Sequence, residues 1–548
     1  MKSILRNIRL FFGSPAVTHW LVGIGAVLRL QHFWFNRSLW LDEAYVALGI
    51  SRHALGDILR FKMIAPDLPL PPVGFMVYQK LITLALGNNE YTLRLLPLAA
   101  SVGALFLFRK FIQKYILQGY RWIPMALFAF SPPLIYYAAE VKRYSLDVFF
   151  GLWCLLLIPS LYTARRSWTQ RMVGGIYGII PLLFTYTAIF YLFSGGLVIC
   201  LDALVKRKKQ VLKDVIVMGA IWAGMFAVLY GLGMRQMVNT DILGSTTSGG
   251  YTYNAPMLSW QSWHWLASKF WDLFAYPLPI WAAVPGLVLF CVGAGYGLRK
   301  DDRNSYLLLP IVTVLVASMI IPFPIGQRFS LFLSPVVFLL ISLGLLQVAK
   351  RPLRGRPVVY SLLIMLILVG PVTRSLHEVF CREEVEDSRK VVQQFHQLYR
   401  KGDSVLLNAS ARYAFGYYHA LFDMPSDILL VGEIICRGGG APDKIYYDVR
   451  YYVYDQNNFL KGKLKAEYSQ SRLRKDLAWF EHNDRTWVLF IHADEPCREK
   501  TLRILDQKGE RMASFSYKEA ALYLYDLSEI GLQAECLARK KAIQYKPN

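Results

Sequence analysis

Repeated apolar runs of membrane-spanning length constrain this chain more than any other feature. A run of about 20 apolar residues crosses the hydrocarbon core of a bilayer as a helix. Such runs lie near 17–35, 91–116, 122–139, 144–163, 172–187, 188–205, 213–234, 276–298, 305–322, 329–349 and 357–373, with a thin break near Thr187. They predict a polytopic α-helical membrane protein with about eleven transmembrane helices.

The formal charge of +23 would suit nucleic-acid binding if the basic residues formed one patch. Instead they sit in short tracts at the ends of the apolar runs, where they set topology. Lys2, Arg6 and Arg9 precede the first run with no small-residue cleavage site after it, so the N-terminus is expected in the cytoplasm. The segment from Val73 to Leu86 decides the rest. It is short and led by prolines, and if it lies in the outer interface, all later basic clusters fall on the cytoplasmic side. These are Arg109 to Arg121, Arg165 to Arg171, Lys206 to Lys209, Arg299 to Arg303 and Lys350 to Arg356. The expectation is an integral protein of a bacterial inner membrane, with the C-terminal part periplasmic.

Two domains are expected, a transmembrane domain over 1–373 and an extracytoplasmic α/β domain over 374–548. In the latter, Ser388–Tyr399, Ala411–Leu421 and Glu499–Gln507 have helical spacing. Ser404–Asn408, Thr486–His492, Arg511–Ser516 and Leu522–Leu527 read as strands. Gly438-Gly439-Gly440 lacks the strand–turn–helix setting of a phosphate loop and reads as a turn. Cys381, Cys436, Cys497 and Cys536 lie in this polar third, with three pairings open, whereas Cys154, Cys200 and Cys291 are packing residues. Before it, a long outer loop from Arg235 to Ala275 joins a glycine-rich half to a half bearing Trp260, Trp263, Trp265 and Trp271, rings that settle at interfaces.

This topology gathers polar residues at the outer surface: Asp42, Glu43, Lys62, Asp67, Arg94, Glu140, Lys142, Arg143, Tyr144, His264 and Arg328. Adjacent acids beside a bilayer are costly without a cation or a task. Asp42 reads as a catalytic carboxylate, the alternative being that Asp42 and Glu43 cap an interfacial helix from Ala44. Arginine forks suit phosphate, and a carboxylate among them stays ionised to accept a proton from a hydroxyl. A lipid bearing a phosphate-linked sugar meets both requirements, provided the acid pair and the guanidinium groups surround one cavity.

The sequence resembles the GT-C superfamily of membrane glycosyltransferases, in the group containing protein O-mannosyltransferases and the lipid A aminoarabinose transferase. The resemblance rests on Leu39-Trp40-Leu41-Asp42-Glu43-Ala44, Leu68-Pro69-Leu70-Pro71-Pro72, Leu93-Arg94-Leu95-Leu96-Pro97 and Ser131-Pro132 with Tyr136 to Tyr144. Arg328-Phe329 with Pro335 looks like the later phosphate-contact region, and the whole covers roughly 15–375. It implies inverting transfer of a monosaccharide from a polyprenyl-phosphate donor to a lipid-linked glycan, polysaccharide or protein. Asp42 would be the base and Glu43 an orienting neighbour. Arg94 and Arg328 would hold phosphate, and Glu140 and Arg143 would complete the second outer loop. Lys62, outside the resemblance, reads as a further substrate contact or, more plainly, a surface residue. The family often has a histidine where this chain has Leu70, so no cofactor is expected, with a divalent metal as the alternative.

Each site residue has a plainer reading. Glu43 would pair with Lys62 or an arginine, Arg94 would be a snorkelling anchor, and Glu140 with Arg143 a helix pair. His264, between tryptophans, reads as interfacial. The rival functions are a strict protein O-mannosyltransferase and a lipid or polysaccharide transporter. A transporter usually carries internal repeats, and none is visible in the sequence.

Overall fold

Pro132-Pro133 breaks one long apolar run in two, and the break shapes the membrane part of the protein. The computed structural model describes residues 13–61, 71–161, 167–234, 259–321, 323–350, 356–381, 384–422, 429–438, 445–454, 485–493 and 495–527. The chain forms two compact units, one of Met1–Asn36 with His53–Arg382 and the other of Arg37–Arg52 with Glu383–Asn548. The boundary expected at 373 thus falls at 382, and a short early segment joins the C-terminal unit.

In the first unit, each of the eleven expected spans is helical. Seven helices among the described residues are long and apolar enough to cross a membrane, or eight when the bent pair Gln118–Ala129 and Pro132–Ala139 counts as one. The chain is an integral membrane protein. The remaining expected spans are the helices Pro15–Phe35, Tyr144–Ser160 and Trp168–Phe184, and the last span continues to Phe380. Starts follow the local sequence: the Asn89 side chain accepts from Thr92 N, and Ser167 forms a capping box with Gln170. Thr185 and Thr187 interrupt the chain between Phe184 and Ala188, at the break expected there. Val73–Leu86 is a separate helix of 14 residues, about 21 Å long and too short for a bilayer core.

The Ser334–Lys350 helix lies at the centre, since 94% of the apolar window in its span is buried, against 22% for Val358–Phe380. It crosses Ile280–Lys300 at a pair of glycines. A Cβ at Gly293 would lie 1.9 Å from the Leu340 carbonyl oxygen, and one at Gly344 would lie 1.9 Å from that of Leu289. Such close approach replaces hydrophobic driving force between helices in lipid.

The break at Ser131 opens the bent pair by 61°. It strands carbonyls at the end of Trp122–Ala129, which Arg29 satisfies from the middle of the first span. Arg29 is fully buried, with Nη2 donating to Phe128 O at 3.2 Å and Nη1 to Ala129 O at 3.2 Å. Nη1 also donates to Gly25 O at 2.8 Å and Nε to Ser101 Oγ at 2.9 Å. A buried cation surrounded by carbonyl dipoles replaces the lost helical bonds.

The second unit holds a six-stranded sheet in the order β3-β2-β1-β4-β6-β5. Its strands are β1 (Ser404–Asn408), β2 (Leu429–Gly438), β3 (Ile445–Tyr454), β4 (Thr486–Ile491), β5 (Glu510–Tyr517) and β6 (Ala520–Asp526). β1 is central and parallel to β2 and β4, while the other pairs are antiparallel. Every residue of β1 and β4 is buried, as their continuous apolar runs require. Helices Ser388–Leu398, Ala411–Leu421 and Glu495–Asp506 complete an α/β domain. β2 and β3 were not expected from sequence. Gly438 ends β2, and Gly439 and Gly440 lie outside the described residues. Cys497 is disulfide-bonded and Cys381 is a free thiol, which removes Cys381 from the open pairings.

The early segment is the larger surprise. An interfacial helix was expected from Ala44, but the helix runs Leu41–Arg52 and every residue from Glu43 to Ile50 is buried. A helix buried all round belongs to a core rather than a membrane surface. It packs on Ala411–Leu421, with the Tyr45 and Tyr413 rings edge to face at 5.5 Å. Sequence pattern missed this because the partner lies more than 360 residues downstream.

Candidate active site

The expected site residues fall in both units. Asp42 and Glu43 belong to the second, and Arg94, Glu140, Arg143 and Arg328 to the first. Lys62, Asp67 and Leu68 to Leu70 lie outside the described residues.

In the second unit, Asp42 stands half-buried in the first turn of Leu41–Arg52, where a carboxylate is favoured by the helix dipole. Glu43 is fully buried, 3.6 Å from Nη2 of Arg37, so its arginine partner is Arg37. The backbone leading into Asp42 is held from far along the chain. Ser38 N donates to Glu384 Oε2 at 2.8 Å, Leu39 N to Tyr418 Oη at 2.8 Å, and Leu41 N to Glu386 Oε2 at 3.0 Å. Ser388 Oγ donates to the Leu39 carbonyl at 2.5 Å, and Arg389 Nη2 to that of Arg37 at 3.2 Å. Glu386 also meets His492 Nδ1 at 2.5 Å. That bond raises the His492 pKa, with Glu519 and Asp42 adding negative field, and burial raises the Glu384 pKa.

In the first unit, Arg94 is fully buried and Nη1 donates to Asn36 Oδ1 at 3.0 Å. Burial excludes the snorkelling reading for Arg94. Asn36 itself is left-handed, with φ of 46°, where it ends the first helix. Glu140 is buried in extended backbone just past the bent pair, so it is no helical partner of Arg143. Arg143 faces Asp147 at 3.9 Å and lies 5.1 Å from the Tyr186 ring centre. Its Nη1 is buried with no hydrogen-bond partner among the described residues. Arg328 stacks over Phe329 at 5.2 Å.

A run of aromatic rings ties these positions together. Tyr136 contacts Tyr137 at 5.0 Å, Tyr137 contacts Tyr144 at 4.8 Å, and Tyr144 contacts Phe329 at 5.9 Å. Arg143 and Arg328 each precede a member of the last pair, so their elements meet at one end of the bundle. Tyr137 Oη also bonds Tyr276 Oη at 2.9 Å. Beside the Tyr137 and Tyr144 rings lies a small cavity, with room for about one water, lined also by Arg29, Ser101 and Ser145. His264 is exposed on the Trp260–Ala275 helix. Among the described residues no group of three or more His, Cys, Asp or Glu side chains is placed to hold a metal ion.

Sequence reasoning missed Arg29, Glu384, Glu386, Tyr418 and His492. A cation inside an apolar run was a signal for Arg29. The acids at 383–387, directly after the last span, were a signal for the two glutamates. Tyr418 and His492 left none.

No family profile matches the sequence, and no curated protein does. Solved structures do. The apo structure of ArnT from Cupriavidus metallidurans matches with a TM-score of 0.53 at 13% identity, covering 94% of this chain and 100% of that one. The structure of ArnT from the same organism bound to undecaprenyl phosphate gives 0.52 at 14% identity, with the same coverage. ArnT is the lipid A aminoarabinose transferase, a GT-C superfamily member, and the fold seen here is of that type.

Proposed function

We propose that this integral membrane protein, which has the GT-C fold, transfers a monosaccharide from a polyprenyl-phosphate donor to an acceptor hydroxyl on the extracytoplasmic face. The observation that carries the reading is the likeness, along the full length of ArnT, to a structure holding undecaprenyl phosphate. The residues supply chemistry to match. Asp42 takes the proton of the acceptor hydroxyl as its oxygen attacks the anomeric carbon. The carbon–phosphate oxygen bond breaks on the opposite face, so configuration inverts. Arg94, Arg143 and Arg328 bind the departing phosphate, whose charge grows in the transition state. Glu140 and Glu43 orient these groups, and Lys62 is a further contact. Metal-independent chemistry is part of the proposal, as are a bacterial inner membrane, a cytoplasmic N-terminus and a periplasmic second unit.

The acceptor is a lipid-linked glycan, a polysaccharide or a protein. Mass spectrometry of lipid that copurifies with the protein tests the donor. A polyprenyl phosphate or its glycosyl ester is expected, and bulk phospholipid alone would contradict the reading.

A further inference from the structure

A helix beginning at Leu41 leaves its first amide groups without internal acceptors. Ser, Thr, Asp or Asn usually caps such a turn from the preceding position, but here that position is Trp40, whose indole only donates. The cap comes from elsewhere in the unit: Glu386 Oε2 accepts Leu41 N–H at 3.0 Å. The other oxygen of Glu386 meets His492 Nδ1 at 2.5 Å. Glu386 is 1% exposed, so both contacts are made in the interior of the unit. His492 is held in turn: it follows β4 with φ of 52°, an uncommon conformation, and its N–H donates to Glu519 O at 2.9 Å.

We propose that Glu386 and His492 are a positioning pair that fixes the Asp42 turn, with Glu386 capping the helix and His492 holding the Glu386 carboxylate in place. The proposal rests on Asp42 as the base. It makes the second unit part of the machinery that aims this carboxylate, beyond any role in choosing an acceptor. The charged groups facing His492 are Glu386, Glu519 and Asp42. All three favour its protonated form, so its folded pKa lies above the ordinary value of about 6.5. The pair is therefore complete below that value and is lost as pH rises through the folded pKa.

Hydrogen exchange by mass spectrometry on the full-length protein in detergent tests it, comparing wild type, Glu386→Gln and His492→Gln. Peptides over 37–45 should exchange about tenfold faster in both variants, with those over 411–421 unchanged. In wild type, after correction for intrinsic rates, protection over 37–45 should fall as pH rises above neutrality. Should Glu386→Gln also expose 411–421, the domain has unfolded, and His492→Gln at its half-exposed side chain carries the test. Glycan transfer in membranes expressing the chain gives the second readout. Wild type should lose rate on the alkaline side, and His492→Gln should lose that limb. Wild-type exchange and an unchanged pH profile in both variants would overturn the pair, even where Asp42→Ala abolishes transfer. Transfer that survives Asp42→Ala would overturn the base assignment instead, whatever the exchange shows.

Discussion

Arg29 donates to the carbonyl of Phe128 at 3.2 Å, so a cation in the first span closes the end of a helix 99 residues later. The bend it secures leads directly into Glu140 and Arg143. Replacing Arg29 with Met would remove the charge and leave the Phe128 and Ala129 carbonyls without a donor. The expected cost is about 3 kcal/mol, read as a lower unfolding temperature in detergent. Arg29→Lys should restore only part of it, because an ammonium cannot reproduce the planar fork.

The glycine crossing makes a separate prediction for the membrane unit. Gly293→Ala or Gly344→Ala would place a methyl group only 1.9 Å from a carbonyl oxygen of the facing helix. The helices must separate, at about 2 kcal/mol or more for either substitution. Thermal unfolding in detergent checks this, with Gly295→Ala as the control, since a Cβ there meets nothing within 4 Å.

His419 predicts acid sensitivity in the second unit. It is buried on the Ala411–Leu421 helix, and burial lowers its pKa to about 4, with Arg52 and His396 adding to the fall. The folded state prefers neutral imidazole. The resulting stability is present above about 6.5 and is lost as pH falls towards the folded value, on the order of 3 kcal/mol in all. A denaturant series between pH 7 and 4 should show this loss, and His419→Gln should flatten it.

Arg143 predicts a binding defect without a folding defect. Its contact with Asp147 is long, at 3.9 Å, and Nη1 makes no bond among the described residues. Arg143→Gln should weaken binding of a short-chain polyprenyl phosphate about tenfold by calorimetric titration, while the unfolding temperature stays within about 1 °C.

Much of this was legible in the sequence, and the limits are physical. Apolar run length exposed the spans, whereas the break inside the expected span 122–139, before Pro132-Pro133, came from the structure. Ser404–Asn408 and Ala411–Leu421 match the structure to the residue because short elements, one fully buried and the other largely so, keep a clean pattern. β2 and β3 mix charge and glycine with apolar residues, which blurs the alternation that identifies a strand. The hold on Asp42 was invisible for another reason. Local periodicity reports that a face is buried, but it cannot say that Glu384, Glu386 and Tyr418 are what buries it.

The central claim is that Asp42 is the base, and rate against substitution at this one residue tests it most directly. Asp42→Asn keeps the size of the side chain but accepts no proton. Glycan transfer in membranes expressing the chain should fall by about 10³-fold or more, with the copurified polyprenyl lipid and the unfolding temperature unchanged. Transfer within a few-fold of wild type, in a variant that still folds and still holds the lipid, would contradict the account.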